Sequence, residues 1–254
     1  MKALILAAGY ATRLRPLTDT WSKELLPVGG RPIIDWIVDR VAEVDEIDEV
    51  HVVTNARKAP AFFAWADGRD VTVHDDGTTS NDDRLGAIGD LQFVLDRTGI
   101  DDDLLVIAGD NLFEFSPADY VAFWQSKGVA SAVAVRDVGS LEIASRMGVV
   151  ALDEHRRVVQ FVEKPADPPS TLCATAAYIY HRSHLPLVGD YLAAGNSSDQ
   201  PGLMVAWLRS REPVYGWVFE ESWYDIGSPE QLLEADNRLR AEVGLPRREL
   251  YSPE

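Results

Sequence analysis

Apolar and polar positions along the first half of the chain fall into an alternating strand and helix pattern. Ala3–Leu6 is a short apolar run that reads as a buried strand. Pro32 opens a helix with Ile33, Ile34, Ile37, Val41 and Val44 on one face, the spacing that a 3.6-residue period requires. A strand at Val50–Thr54, a helix near Ala59–Ala66 and a strand at Val71–His74 follow. Asp90–Asp96 belongs to a helix that turns Leu91, Val94 and Leu95 inward. Leu104–Ala108 is continuously apolar, as expected of a strand at the centre of a parallel sheet. Pro117–Lys127 is helical and Ala132–Val135 is again a strand. The repetition predicts an α/β fold, a mostly parallel Rossmann-like sheet flanked by helices on both faces.

The second half is richer in strand. Val149–Leu152, Val158–Glu163 and Ala176–Tyr180 read as strands, followed by helices near Leu185–Ala193 and Gly202–Ser210, a strand at Pro213–Phe219 and a last helix at Pro229–Val243. No repeat, low-complexity run or composition shift marks a linker. One domain is therefore expected over residues 1–243, with halves at 1–136 and 137–228 and a C-terminal helix at 229–243. The remainder, 244–254, is a tail, expected to be loose from Arg247 onward.

The net charge of −17 excludes nucleic acid as a partner, because binding a phosphate backbone needs a broad basic face. No apolar run approaches the roughly 18–20 residues of a membrane helix, and no membrane partner is expected. The first residues read as a strand rather than a signal peptide. The single Cys173 leaves no intrachain disulfide and no cysteine-rich metal site. A cytoplasmic protein is the default expectation, and a homo-oligomer stays open. One local departure from the acidic balance matters. Residues 1–34 carry Lys2, Arg13, Arg15, Lys23 and Arg31 against Asp19 and Glu24, a hint of an anion site.

Four segments carry candidate chemistry. Leu6-Ala7-Ala8-Gly9-Tyr10-Ala11-Thr12-Arg13 runs from a strand into a small-residue loop, and Lys23 follows. Small side chains let backbone N–H groups approach phosphates, which Arg13 and Lys23 would neutralise. The loop lacks the closing Gly-Lys-Ser/Thr of a Walker loop and the spacing of a dinucleotide fingerprint. Leu105–Asn111 is an apolar strand ending in Gly109-Asp110, where a carboxylate is placed to hold a divalent cation. In Phe161–Pro165, Glu163 suits sugar hydroxyls and Lys164 a phosphate. In Trp223–Glu230, Asp225 offers a second metal carboxylate and Ser228 a helix cap. Read singly, each segment also fits a structural turn or an exposed strand end.

In this order, the four segments resemble the sugar-1-phosphate nucleotidyltransferase family, nearest its glucose-1-phosphate thymidylyltransferase-like members. The likeness runs from Met1 to about Leu239 and rests on Gly9–Pro16, Lys23–Pro27, Gly109–Asn111, Glu163–Pro165 and Trp223–Gly227. It implies a GT-A-like nucleotide-diphospho-sugar transferase fold with a nucleotide-binding first half and a smaller β-rich sugar-binding lobe. Its substrates would be a nucleoside triphosphate and a sugar 1-phosphate, joined with Mg²⁺ by in-line attack on the α-phosphorus with release of pyrophosphate. No general base is needed, because the attacking phosphate is already an anion. The resemblance assigns catalysis to Arg13, Lys23 and Asp110, and the metal to Asp110 and Asp225. Leu6, Ala8, Gly9, Tyr10, Ala11, Thr12 and Gly86 would bind the nucleotide, and Gly148, Glu163, Lys164 and Thr175 the sugar phosphate. Asn111 and Thr175 lean the base towards thymine.

The chain departs from the family pattern at Ala11 and Ala176, both of which replace a glycine. If Ala11 needs positive φ, the substitution costs roughly 1 kcal/mol or more. Thr78–Arg84 does not match the thymidylyltransferase pattern before the base loop Leu85–Gly89. Three other readings stay open. They are a glycosyltransferase of the related fold, a transferase for a non-sugar phosphate such as phosphocholine, and a noncatalytic homologue. His181 and His184 lack a carboxylate or cysteine partner for a metal, and His51 and His74 carry no signal.

Overall fold

A computed structural model of the chain describes residues 1–253. The elements run β1 (Lys2–Ala7), α1 (Leu17–Thr20), β2 (Pro27–Val28), β3 (Arg31–Pro32), α2 (Ile33–Val41), β4 (Glu49–Thr54), α3 (Ala59–Ala66), β5 (Thr72–Asp75), α4 (Ala87–Thr98), β6 (Leu104–Ala108) and β7 (Asn111–Phe113). They continue with α5 (Pro117–Gln125), β8 (Ser131–Asp137), α6 (Leu141–Ala144), β9 (Gly148–Leu152), β10 (Val158–Glu163), β11 (Leu172–Tyr180), α7 (Pro186–Ala193), α8 (Pro201–Leu208), β12 (Val214–Phe219), β13 (Trp223–Asp225) and α9 (Pro229–Glu242).

Among the described residues, nine strands form one sheet whose main path is β10-β9-β11-β6-β1-β4-β5, with β8 and β12 joined through β11. β5, β4, β1 and β6 are mutually parallel. β11 runs against β6, β8 and β9, β12 lies parallel to β8, and β10 runs against β9. Only β11 and β10 therefore oppose the common direction, so the sheet is mostly parallel. The all-apolar runs of β1 and β6 follow from burial on both faces. Ala3, Ile5 and Ala7 pack into one core with α2, α3, α5 and α9. Leu4 and Val106 pack into the other with α4, α7 and α8. Ser116 and Ser228 cap α5 and α9 by accepting from Asp119 N and Gln231 N.

Two features depart from the sequence expectation. β7 and β13, each three residues long, pair antiparallel as a ribbon beside the main sheet. The tail is docked rather than loose. The Asn237 side chain donates to Arg248 O at 2.9 Å and accepts from Arg248 N at 2.7 Å. The Tyr251 hydroxyl donates to Pro27 O at 2.9 Å, and its ring packs against the larger core. Glu254 lies outside the described residues. No helix among the described residues is long and apolar enough to cross a membrane.

Candidate active site

A cavity of about 440 Å³ opens at the carboxyl ends of β1 and β6, where ligands sit in open α/β sheets. Lys23 and Asp110 form its innermost corner. Gly109 lets the strand end approach β1 closely: its N–H donates to Leu6 O at 2.8 Å, and a Cβ would stand 3.0 Å from that oxygen. Asp110 then reaches Lys23, whose Nζ donates to Asp110 Oδ2 and, at 2.9 Å, to Ile226 O. Asp110 Oδ1 accepts from Asn111 Nδ2 at 2.7 Å, and Asn111 Oδ1 accepts from Trp223 Nε1 at 2.7 Å. The β7–β13 ribbon brings in the second carboxylate, because its register sets Asp225 opposite Asn111.

The charges in this corner are coupled. Burial works against the Lys23 ammonium, but Asp110 and Glu24 outweigh it and hold the lysine above its ordinary pKa. Burial likewise works against the Asp110 carboxylate, yet Lys23 outweighs it and holds Asp110 low. Asp225 is pushed up, by burial first and then by the Asp110 charge. It makes no side-chain hydrogen bond among the described residues. Two hard oxygen donors that repel one another, one of them without a partner, suit a small divalent cation whose other ligands come from phosphates and water. No cluster of three or more metal-binding side chains exists among the described residues, so any such ion would lean on its substrates.

Above this corner lies the small-residue loop. Leu6, Ala8, Gly9 and Ala11 line the cavity. Ala11 has φ 44 and ψ 42, the left-handed conformation, and immediately precedes the single turn Thr12–Leu14. Three residues assigned to the site stand outside the cavity wall. Tyr10 turns its hydroxyl to Thr78 Oγ1 at 3.0 Å, and Thr12 and Arg13 project into solvent from the turn. Arg13 stays near the mouth, its Nη1 3.7 Å from where a Cβ on Gly227 would be. Facing the loop, Gly86 (φ 81) precedes α4 and is pinned to the segment before α8. Ile88 N donates to Ser198 O at 2.8 Å, and Arg84 binds Asp199 with two hydrogen bonds of 3.0 and 2.7 Å.

The far end of the cavity is made by β9, β10 and α8. Gly148 and Glu163 are register partners, and Lys164, exposed and with φ 46, donates its N–H to Met147 O at 2.9 Å. The Phe161 ring is wedged between two glycines. A Cβ on Gly148 would stand 2.7 Å from its Cζ, and one on Gly202 would overlap the ring. Gly202 escaped the sequence reading, although a glycine just after Pro201 in a helix start was a usable signal. Thr175 lines the cavity but spends its hydroxyl on Ala134 O at 3.1 Å. Asn111 is hydrogen-bonded to Asp110 and Trp223. Ala176, the other alanine at a family glycine position, also has positive φ (53) and sits where the β11 register slips between Ala174 and Tyr178.

A profile of the nucleotidyl transferase family matches residues 2–242. The Bifunctional protein GlmU of Methanocaldococcus jannaschii is 28% identical over 94% of this chain, which spans 54% of that protein, little more than half. The UTP–glucose-1-phosphate uridylyltransferase AglF of Haloferax volcanii is 30% identical over 96% of this chain and 98% of its own length. Among solved structures, a putative glucose-1-phosphate thymidylyltransferase from Bacillus anthracis, crystallised with sucrose, superposes with a TM-score of 0.78 at 25% identity, over 94% of this chain and 95% of that one.

Proposed function

The chain belongs to the nucleotidyl transferase family, and from that premise we propose that it transfers a nucleotidyl group from a nucleoside triphosphate to a sugar 1-phosphate. The products are a nucleotide sugar and pyrophosphate. The observation that carries this reading is the convergence of Lys23, Asp110, Asp225, Glu163 and Lys164 on one cavity, with the small-residue loop between the two ends.

The sugar-phosphate oxygen forms the new bond to the α-phosphorus as the α–β bridging bond breaks, and the electron pair leaves with pyrophosphate. Both reactants are anions, so the task is to hold them together and in line. Lys23, fixed by Asp110 and the Ile226 carbonyl, meets the triphosphate. Arg13 adds charge from the rim. Glu163 and Lys164 hold the sugar hydroxyls and the sugar's phosphate. Asp110 and Asp225 would hold Mg²⁺, which supplies Lewis-acid stabilisation of the transferring phosphoryl group.

A matrix of triphosphates against sugar 1-phosphates, with and without Mg²⁺ and read by pyrophosphate release, tests the reading. At least one pair is expected to release pyrophosphate stoichiometrically with a nucleotide sugar. Silence across the whole matrix refutes it.

A further inference from the structure

One carboxyl group in the cavity wall takes no part in the reaction as described. Asp90, in the first turn of α4, is 6% exposed and lines the cavity. Buried carboxyl oxygens normally have donors, yet Asp90 Oδ1 is buried without one. Beside it lies a second acid, Asp76, within hydrogen-bonding reach of Asp90 once a proton stands between them. Asp76 is anchored through Oδ1, which accepts from Thr78 N at 2.7 Å and Thr78 Oγ1 at 2.8 Å, while its Oδ2 is also buried without a donor. Two acids in such contact resist ionising together, and Asp90 is the one that keeps its proton. Burial, and then the Asp76 charge, push Asp90 up to about 8, which keeps that proton in place at neutral pH. With Oδ1 buried, Oδ2 is the Asp90 oxygen left for the cavity, and with the proton on the Asp76 side it is an acceptor.

With phosphates at Lys23 and the sugar phosphate at Glu163 and Lys164, the wall left for the nucleobase runs from Ala8 and Gly9 to Gly86, Ala87 and Asp90. The nearest cationic donor there, Arg84, is held by Asp199 and by Asn81 O at 2.6 Å. We propose, resting on the nucleotidyl-transfer reading, that Asp90 backed by Asp76 selects the base by accepting a hydrogen bond from an exocyclic amino group. Cytosine, adenine and guanine each carry such a group. Uracil and thymine instead flank a single N–H with two carbonyl oxygens, which an accepting carboxyl oxygen repels.

Calorimetric binding of CTP, GTP, ATP, UTP and dTTP to the whole chain, without sugar phosphate, tests this independently of turnover. The tightest amino-bearing triphosphate is expected to bind about tenfold or more tightly than both UTP and dTTP. Asp90→Ala should abolish most of that ratio. Asp76→Asn should retain it, since its amide donates to Asp90 Oδ1 and leaves Oδ2 an acceptor. Should Asp90→Ala fail to fold, Asp90→Leu, of similar shape and without an acceptor, replaces it with the same expected loss. Preference of the wild type for UTP or dTTP, or an unchanged ratio in the Asp90 variant, overturns the proposal. Selective binding with no pyrophosphate from any sugar 1-phosphate would instead sink the reaction while leaving the base selection intact.

Discussion

The Lys23 ammonium and the Asp110 carboxylate, 87 residues apart in sequence, are hydrogen-bonded at the innermost corner of the cavity. Each holds the other in its charged form against burial. The bond arises because Gly109 lets β6 end tight against β1, which carries Asp110 to the turn bearing Lys23.

Removing Asp110 should therefore affect chemistry far more than folding. Asp110→Ala is expected to lower turnover by at least about 10²-fold, with an unchanged circular dichroism spectrum. Unfolding free energy should fall by about 1–3 kcal/mol, because Lys23 loses a partner but keeps the Ile226 carbonyl. Urea denaturation beside pyrophosphate kinetics measures both. Near-wild-type turnover would remove Asp110 from the catalytic set.

The seat of Phe161 between Gly148 and Gly202 leads to a second expectation. A methyl group at either glycine must displace the ring, and Glu163 with it, since Glu163 Oε2 would stand 3.0 Å from the Gly148 Cβ. Overpacking of this kind costs about 1–3 kcal/mol. Gly202→Ala should lower stability by that amount and raise KM for the sugar phosphate several-fold, while KM for the triphosphate stays constant. An equal rise in both would place the defect in the general fold.

Most of the fold is legible in the sequence because its strands are buried on both faces. Leu104–Ala108 must be apolar throughout, and the α2 face must repeat at helical spacing, so both show at once. The β7–β13 ribbon does not. Three residues are too few for a periodic signal, and the Trp223–Asn111 contact that locks it spans 112 residues. The candidate site divides the same way. Loop and strand-end residues are marked by their neighbours, as Lys23, Asp110 and Glu163 are. Where a hydroxyl turns is not marked, and Thr175 turns inward. Asp90 looks like an ordinary acid in a first helical turn, because the second acid that changes its chemistry, Asp76, follows β5 and is invisible locally.

Ala11 gives a third prediction with two opposing parts. Its left-handed backbone costs about 1–2 kcal/mol for an L-residue. Glycine would relieve that cost but would regain about 0.4–1 kcal/mol of chain entropy in the unfolded state. Ala11→Gly should thus stabilise the protein by at most about 1.5 kcal/mol, seen as a small rise in Tm. Loss of stability would mean that the alanine methyl packs favourably enough to outweigh the strain.

The buried pair His51 and His74 sits apart from the cavity and sets a pH dependence of folding. His51 Nδ1 and His74 Nε2 lie 3.0 Å apart, so one shared hydrogen joins two neutral rings. Burial, followed by His51 and Arg97, pushes His74 down to about 4. In the unfolded chain the same side chain titrates near 6.5. The unfolded state therefore binds more protons between these values, and stability must fall as pH falls through that window. Above about pH 6.5 the contribution is complete, and below about pH 4 it is gone. The difference of roughly 2.5 pKa units corresponds to about 3 kcal/mol at most. Denaturation of the wild type and of His74→Gln at pH 7.5, 5.5 and 4.5 isolates this histidine from the carboxylates that titrate in both. The stability gap between the two proteins should shift against the wild type as the pH drops. A gap constant across the three values would mean that His74 titrates alike in the folded and unfolded chain, and that the 3.0 Å contact has no bearing on its charge.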